Sequence, residues 1–126
     1  MNQRPLSPHL QVYRLPPTAV TSITHRATGV FLSLGMVFLT VCLTAISENE
    51  ARFLEIRHLL QAAPGRVFIW GLIFSLYFHL CHGIRHLGWD VGFGFEQASL
   101  NRHAYMEIAA SVILTAATLV LTLLLF

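Results

Sequence analysis

The chain has 126 residues, of which 55% are hydrophobic and only 11% charged, with a mean hydropathy of +0.62 and a formal net charge of +2. Ordinary soluble domains carry about a quarter charged residues, so this composition excludes one of those, and eight dispersed arginines without a lysine do not make a nucleic-acid-binding surface. What remains is a small membrane protein.

Residues 1–17 hold four of the five prolines, Pro5, Pro8, Pro16 and Pro17. Proline fixes φ and lacks a donor, so this segment is expected to be extended and to lie against a partner surface. No apolar stretch or small-residue cleavage site precedes the first span, and no removable signal peptide is expected. One domain, residues 18–126, follows, its first helix starting at Thr18, whose hydroxyl would cap the orphan amides. Three windows, about 21–46, 66–87 and 104–126, are each long enough for a hydrocarbon core that needs roughly 20 residues.

Small and polar residues run along each span. In the first they are Thr18, Ser22, His25, Arg26, Gly29, Ser33, Thr40 and Thr44; in the second Gly71, Ser75, His79, His82 and His86; in the third Ser111, Thr115, Thr118 and Thr122. Such stripes let helix backbones approach closely while bulky residues turn to lipid. The expected fold is therefore all-α, with three transmembrane helices forming part of a larger, heteromeric bundle. Between the first two spans, Phe53, Leu54, Ile56, Leu59 and Leu60 among charged residues suit a short interfacial helix over about 51–62. Between the last two, Gly88-Trp89-Asp90-Val91-Gly92-Phe93-Gly94 is turn-rich. Arg4, Arg14, Arg26, Arg85 and Arg102 fall on one side and Arg52, Arg57 and Arg66 on the other, which places the N-terminus in the cytoplasm.

The chemistry concentrates in His79-Leu80-Cys81-His82-Gly83-Ile84-Arg85-His86. His79 lies thirteen residues past Arg66 and eleven before Asp90, about 20 Å and 16 Å along a helix, and so falls inside the hydrocarbon slab. Ionisable groups at that depth carry function, and neutral imidazole is a good axial ligand for haem iron. His79 is the candidate ligand, with His82 as the fallback; the competing reading is a histidine satisfied inside a dry bundle. By depth, His9, His25, His58 and His103 are not expected to meet His79, so the second axial ligand should come from another polypeptide. Cys81-His82 lacks the first cysteine of a covalent haem motif, since position 78 is Phe, and any haem would be held non-covalently. Cys42 and Cys81 suggest neither a disulfide framework nor an iron–sulfur cluster.

Ser22, His25 and Arg26 share a face at the mouth of the first helix, where Arg85 and His86 should also emerge. Guanidinium groups there suit haem propionates, and a hydroxyl or arginine suits the carbonyl oxygens of a quinone. A lone arginine would instead snorkel to headgroups. Asp90 is expected to pair with an arginine or to sit in water, and Glu107 to lie in the first turn of the third helix, where the dipole explains it. No glycine-rich dinucleotide fingerprint or nucleophile–base pair is present, so the chain is expected to do no substrate chemistry alone.

Arg4-Pro5-Leu6-Ser7-Pro8-His9, Ser22-Ile23-Thr24-His25-Arg26-Ala27-Thr28-Gly29, and His79 followed by Gly83-Ile84-Arg85-His86 and Asp90 together resemble the cytochrome b membrane-anchor subunit of succinate dehydrogenase, respiratory complex II. The resemblance covers nearly the whole chain. It implies a haem b shared with a second small anchor subunit that supplies the other axial histidine. It also implies docking of an iron–sulfur subunit and a flavoprotein subunit, and electron transfer from succinate to ubiquinone at a bacterial inner membrane. By the same resemblance the haem ligand is His79, the quinone-site residues are Ser22 and Arg26, and His25 lies beside the propionates. Two other readings stay open: a histidine-lined metal-binding or transport protein, against which stands the lack of an acidic residue at membrane depth, and the anchor of a related quinol:fumarate reductase.

Overall fold

The computed structural model describes residues 14–125. They form four helices in chain order: α1 (Pro17–Glu48), α2 (Glu50–Gln61), α3 (Ala63–Asp90) and α4 (Gln97–Leu125). The expected docking segment lies mostly outside the described residues; Arg14 to Pro16 are non-helical.

α1, α3 and α4 are long and apolar enough to cross a membrane. Their 32, 28 and 29 residues reach about 42 to 48 Å at 1.5 Å per residue, well beyond a hydrocarbon core of about 30 Å. α1 and α3 extend beyond their expected windows at both ends, and α4 at its start, where the added turns carry polar residues. α1 starts one residue before the expected Thr18. Its first turn is set by Pro17, whose fixed φ and missing N–H suit the N1 position, and the Pro16 carbonyl accepts from Ala19 N at 2.9 Å and Val20 N at 3.2 Å. Among the described residues no side chain caps this end.

A single residue, Asn49, breaks α1 from α2. Its backbone is extended, and its side-chain Oδ1 accepts from Arg52 N at 3.0 Å, capping α2. None of the α2 residues is buried, in keeping with an interfacial helix. α3 ends in a Schellman turn: Gly92, at φ +90°, donates to Trp89 O at 2.8 Å, and Phe93 N donates to Gly88 O at 3.0 Å.

Packing is inverted relative to a water-soluble protein. Among the described residues the buried positions are mostly polar or small, namely Thr21, Thr28, Gly35, Ala45, Ser75, Phe78, His82, Arg85, Ala104, Glu107 and Ser111, while Val30, Leu34, Val37, Leu76, Ile113 and many similar side chains face outward. Apolar side chains gain nothing by leaving lipid for protein, so close backbone approach and polar contact must hold the helices together. α3 is central and packs on both α1 and α4. Its approach to α1 depends on Gly35 and Gly71: a Cβ on Gly35 would lie 2.6 Å from Leu72 Cδ2, and one on Gly71 would lie 3.3 Å from Phe31.

The inward face of α1 is rotated from the expected stripe. Thr21, Thr28 and Gly35 point in, whereas Ser33, Thr40 and Thr44 are exposed and bond back to the carbonyls of Gly29, Met36 and Val41 at 2.9 to 3.0 Å. A hydroxyl that satisfies itself on its own helix can face lipid, so its presence does not mark an interior. The expected stripes on α3 and α4 hold at Ser75 and Ser111, both buried. Replacing Gly35 by Val should force α1 from α3 and lower stability by about 1 to 3 kcal/mol, read as a lower denaturation midpoint in detergent with helix content retained.

Candidate functional site

The histidines gather at one end of the bundle. His25 of α1 lies between two α3 rings: its centroid is 3.9 Å from that of His79 at an interplanar angle of 18°, and 4.3 Å from that of His82 at 28°. His86 lies 5.9 Å from His25 and 4.9 Å from His82. By its depth in the sequence, His25 is expected at the mouth of α1, out of reach of His79. The structure corrects this: α1 begins at Pro17, so His25 stands two turns inside the helix, level with the middle of the histidine run on α3. A partner polypeptide therefore no longer follows by elimination among the histidines of this chain.

His79 is half-buried against α1, where a Cβ on Gly29 would approach its Cε1 to 3.1 Å. Thr28 Oγ1 donates to the His25 carbonyl at 2.9 Å and is left to accept from His79 Nδ1, 3.5 Å away. A proton on Nδ1 leaves Nε2 with a bare lone pair, the form a metal requires. His25 Nε2 is buried and has no hydrogen-bond partner among the described residues.

His82 faces a different environment. It is 1% exposed, and its Nδ1 lies 2.9 Å from Glu107 Oε1 on α4. The second oxygen of Glu107 accepts from Arg85 Nη1 at 3.0 Å; the same Nη1 also reaches Thr21 Oγ1 of α1 at 3.2 Å, and Nη2 donates to the Leu100 carbonyl at 3.3 Å. The guanidinium stacks 4.5 Å over Trp89. One buried network thus ties all three long helices together. Glu107 is not in a first turn, as the sequence suggested, but ten residues past Gln97, in the interior, because α4 starts well before the expected position 104. An acidic residue does lie deep in the bundle.

Arg85 is correspondingly displaced from its expected place. It is 8% exposed and turned toward α4, not standing free at the mouth beside Arg26. Asp90 is exposed and leaves the pairing with Arg85 to Glu107. Arg26 and His86 are exposed, and Ser22 is half-buried on the side of α1 next to His25. Whereas Thr21, Thr24, Thr28 and Ser33 bond to carbonyls of their own helix, the Ser22 hydroxyl has no hydrogen bond to any described residue. The structure therefore joins His25, His79, His82 and His86 in one cluster, leaves Ser22 and Arg26 on its outer side, and assigns Arg85 to the interior. Glu107 and Thr21 are the members the sequence reading missed.

Comparison with known proteins decides the family. Residues 1–118 match the model of the succinate dehydrogenase/fumarate reductase transmembrane subunit. The chain belongs to this family. A succinate dehydrogenase cytochrome b556 subunit of Paracoccus denitrificans is 40% identical over 117 residues, 93% of this chain and 90% of that protein. One of Rickettsia felis is 33% identical over 114 residues, 90% of this chain and 89% of its own length. The mitochondrial cytochrome b560 subunit of Sus scrofa is 32% identical over 114 residues, covering 89% of this chain and 68% of that one. With three membrane-spanning helices, this chain is a multi-pass membrane-anchor subunit of the succinate dehydrogenase cytochrome b type.

Removing one member of the buried ion pair strands the other in a dry interior, which costs about 3 to 5 kcal/mol. Glu107→Ala or Arg85→Met alone should lower stability by that amount in chemical denaturation of the detergent-solubilised complex. Replacing the two together by Leu and Met should recover only the part of the loss that comes from the stranded charge, because the bonds that tie the helices are still missing.

Proposed function

We propose that this subunit binds a haem b through His79, shares it with a second small anchor subunit that supplies the other axial histidine, and forms part of a ubiquinone-reducing site at Ser22 and Arg26. The observation that carries the reading is the setting of the His79 ring: seated against the side-chain-free surface of Gly29, with Nδ1 toward Thr28 and Nε2 left as the free ligand atom. His82 is a poorer ligand on the same grounds, being enclosed by three helices and held by Glu107.

His25 supports a ligand beyond this chain. Stacked nearly face to face with His79, it is poorly placed to hold the same metal ion together with His79. Its buried, unpartnered Nε2 suits a propionate carboxylate. Arg26 and His86, exposed at the same end, supply further positive or donor character, whereas Arg85 contributes through its hold on Glu107. When bound, haem supplies a one-electron store close to the quinone. The unengaged Ser22 hydroxyl and the Arg26 guanidinium are suited to donate to quinone carbonyl oxygens, on which negative charge grows as two electrons arrive and two protons follow.

The arginine distribution supports an N-terminus in the cytoplasm, with the Ser22 and Arg26 end facing an iron–sulfur subunit that receives electrons from a flavoprotein oxidising succinate. A histidine-lined metal path has less support: among the described residues no group of three His, Cys, Asp or Glu is placed to hold a metal ion. Fumarate reduction with the same architecture differs in the favoured direction of turnover, read by comparing succinate-driven quinone reduction with quinol-driven fumarate reduction in the same complex.

In the assembled complex, His79→Leu should abolish or strongly shift the b-type absorption bands; a native spectrum would refute ligation by His79. Ser22→Ala and Arg26→Leu should each cut succinate-driven quinone reduction at least tenfold while succinate oxidation by an artificial dye is spared. Unchanged quinone turnover in both variants would remove that assignment.

A further inference from the structure

Glu107 is a carboxylate in the interior of a membrane bundle, its side chain 3% exposed. A buried acid is costly and calls for a role. Charge balance explains only half of its contacts, since one oxygen suffices for Arg85 and the other is directed at His82 Nδ1. We propose that Glu107 is a positioning residue for the haem-binding histidines: it holds His82 as the Nδ1–H tautomer in a fixed plane, and His82 passes that constraint through His25 to His79. The proposal rests on the haem reading above.

Arg85 neutralises the carboxylate, so a neutral imidazole completes the group with no net charge. Nδ1–H then donates to Oε1, and Nε2 keeps its lone pair. The bond also prevents rotation of the ring. Phe78 lies against His82 at 6.3 Å and 13°, His82 against His25 at 4.3 Å and 28°, and His25 against His79 at 3.9 Å and 18°. Aromatic centroids ordinarily stand about 4.5 to 7 Å apart, so the two inner separations leave no room for one ring to turn independently of the next. Carboxylates orient metal-binding imidazoles in many proteins by direct contact. Here the orienting group acts through two intervening rings, with Arg85 of α3 holding the carboxylate and Thr21 of α1 accepting from the same Arg85 Nη1.

Glu107→Gln tests this with little change in shape. Its amide oxygen must serve Arg85, which turns the amide N–H toward His82 Nδ1 and drives the imidazole to the other tautomer. The readout is the electron paramagnetic resonance spectrum of oxidised haem in the purified complex, whose largest g value follows the orientation of the axial rings and is insensitive to a distant charge. The expected result is retained haem with a shifted g value in Glu107→Gln, a shift also in His82→Phe, and no additional shift when Glu107→Gln is placed in the His82→Phe background. An unchanged g value in Glu107→Gln overturns the proposal, as does an equal shift with or without His82. If Glu107→Gln does not assemble, His82→Phe decides, because it leaves the Arg85–Glu107 pair intact: a shift supports the proposal and a wild-type value overturns it. Loss of haem in His82→Phe would make His82 a ligand and also overturn it. A wild-type complex without haem would instead refute the reading on which the proposal rests.

Discussion

The pairing of Arg85 with Glu107 is the interaction on which the bundle depends. In lipid, burial of leucine or valine against protein gives little advantage over burial against acyl chains, so helix association must come from contacts that lipid cannot replace. A guanidinium bonded at once to a carboxylate on α4, a hydroxyl on α1 and a backbone carbonyl is such a contact. It is satisfied only when all three helices are in register. The same pair fixes the rotation of α3, and hence the direction in which its histidines point.

Register in turn determines what α1 can contribute. Thr21 meets Arg85; one turn further, His25 enters between His79 and His82; Thr28 and Gly29 then form the surface against which His79 rests. The positions are separated by three or four residues, so a single helical face presents an anchor, a ring and a seat in sequence. Ser22 and Arg26 lie at the same end of the bundle, beside the histidine cluster.

Much of this was legible in the sequence, and the gaps have physical causes. Three apolar runs, a short helix between the first two and the small-polar faces of α3 and α4 could be read directly, because a hydrocarbon core of about 30 Å imposes length and close packing imposes small residues. The face of α1 was misread by about one residue because Ser33, Thr40 and Thr44 satisfy themselves on their own carbonyls and carry no information about an interior. Glu107 was missed because hydropathy treats Asn101, Arg102 and His103 as a loop, whereas α4 is already helical from Gln97. The signal was present all the same: extending the Ser111, Thr115, Thr118 stripe backward by four and then three residues lands on Glu107 and Ala104, both buried. His25 was placed too shallow because its depth was counted from an apolar window beginning near residue 21, whereas α1 begins at Pro17 and carries His25 two turns inside the helix.

The outward array of bulky aliphatic side chains bears on how such a protein can change over time. A leucine facing acyl chains can become isoleucine, valine or phenylalanine with little consequence, because its neighbours are fluid and adapt. A threonine, glycine or serine facing another helix meets fixed atoms at fixed distances. Evolutionary drift should therefore collect on the greasy exterior, while the hydrophilic interior stays still, the reverse of the pattern familiar from proteins dissolved in water.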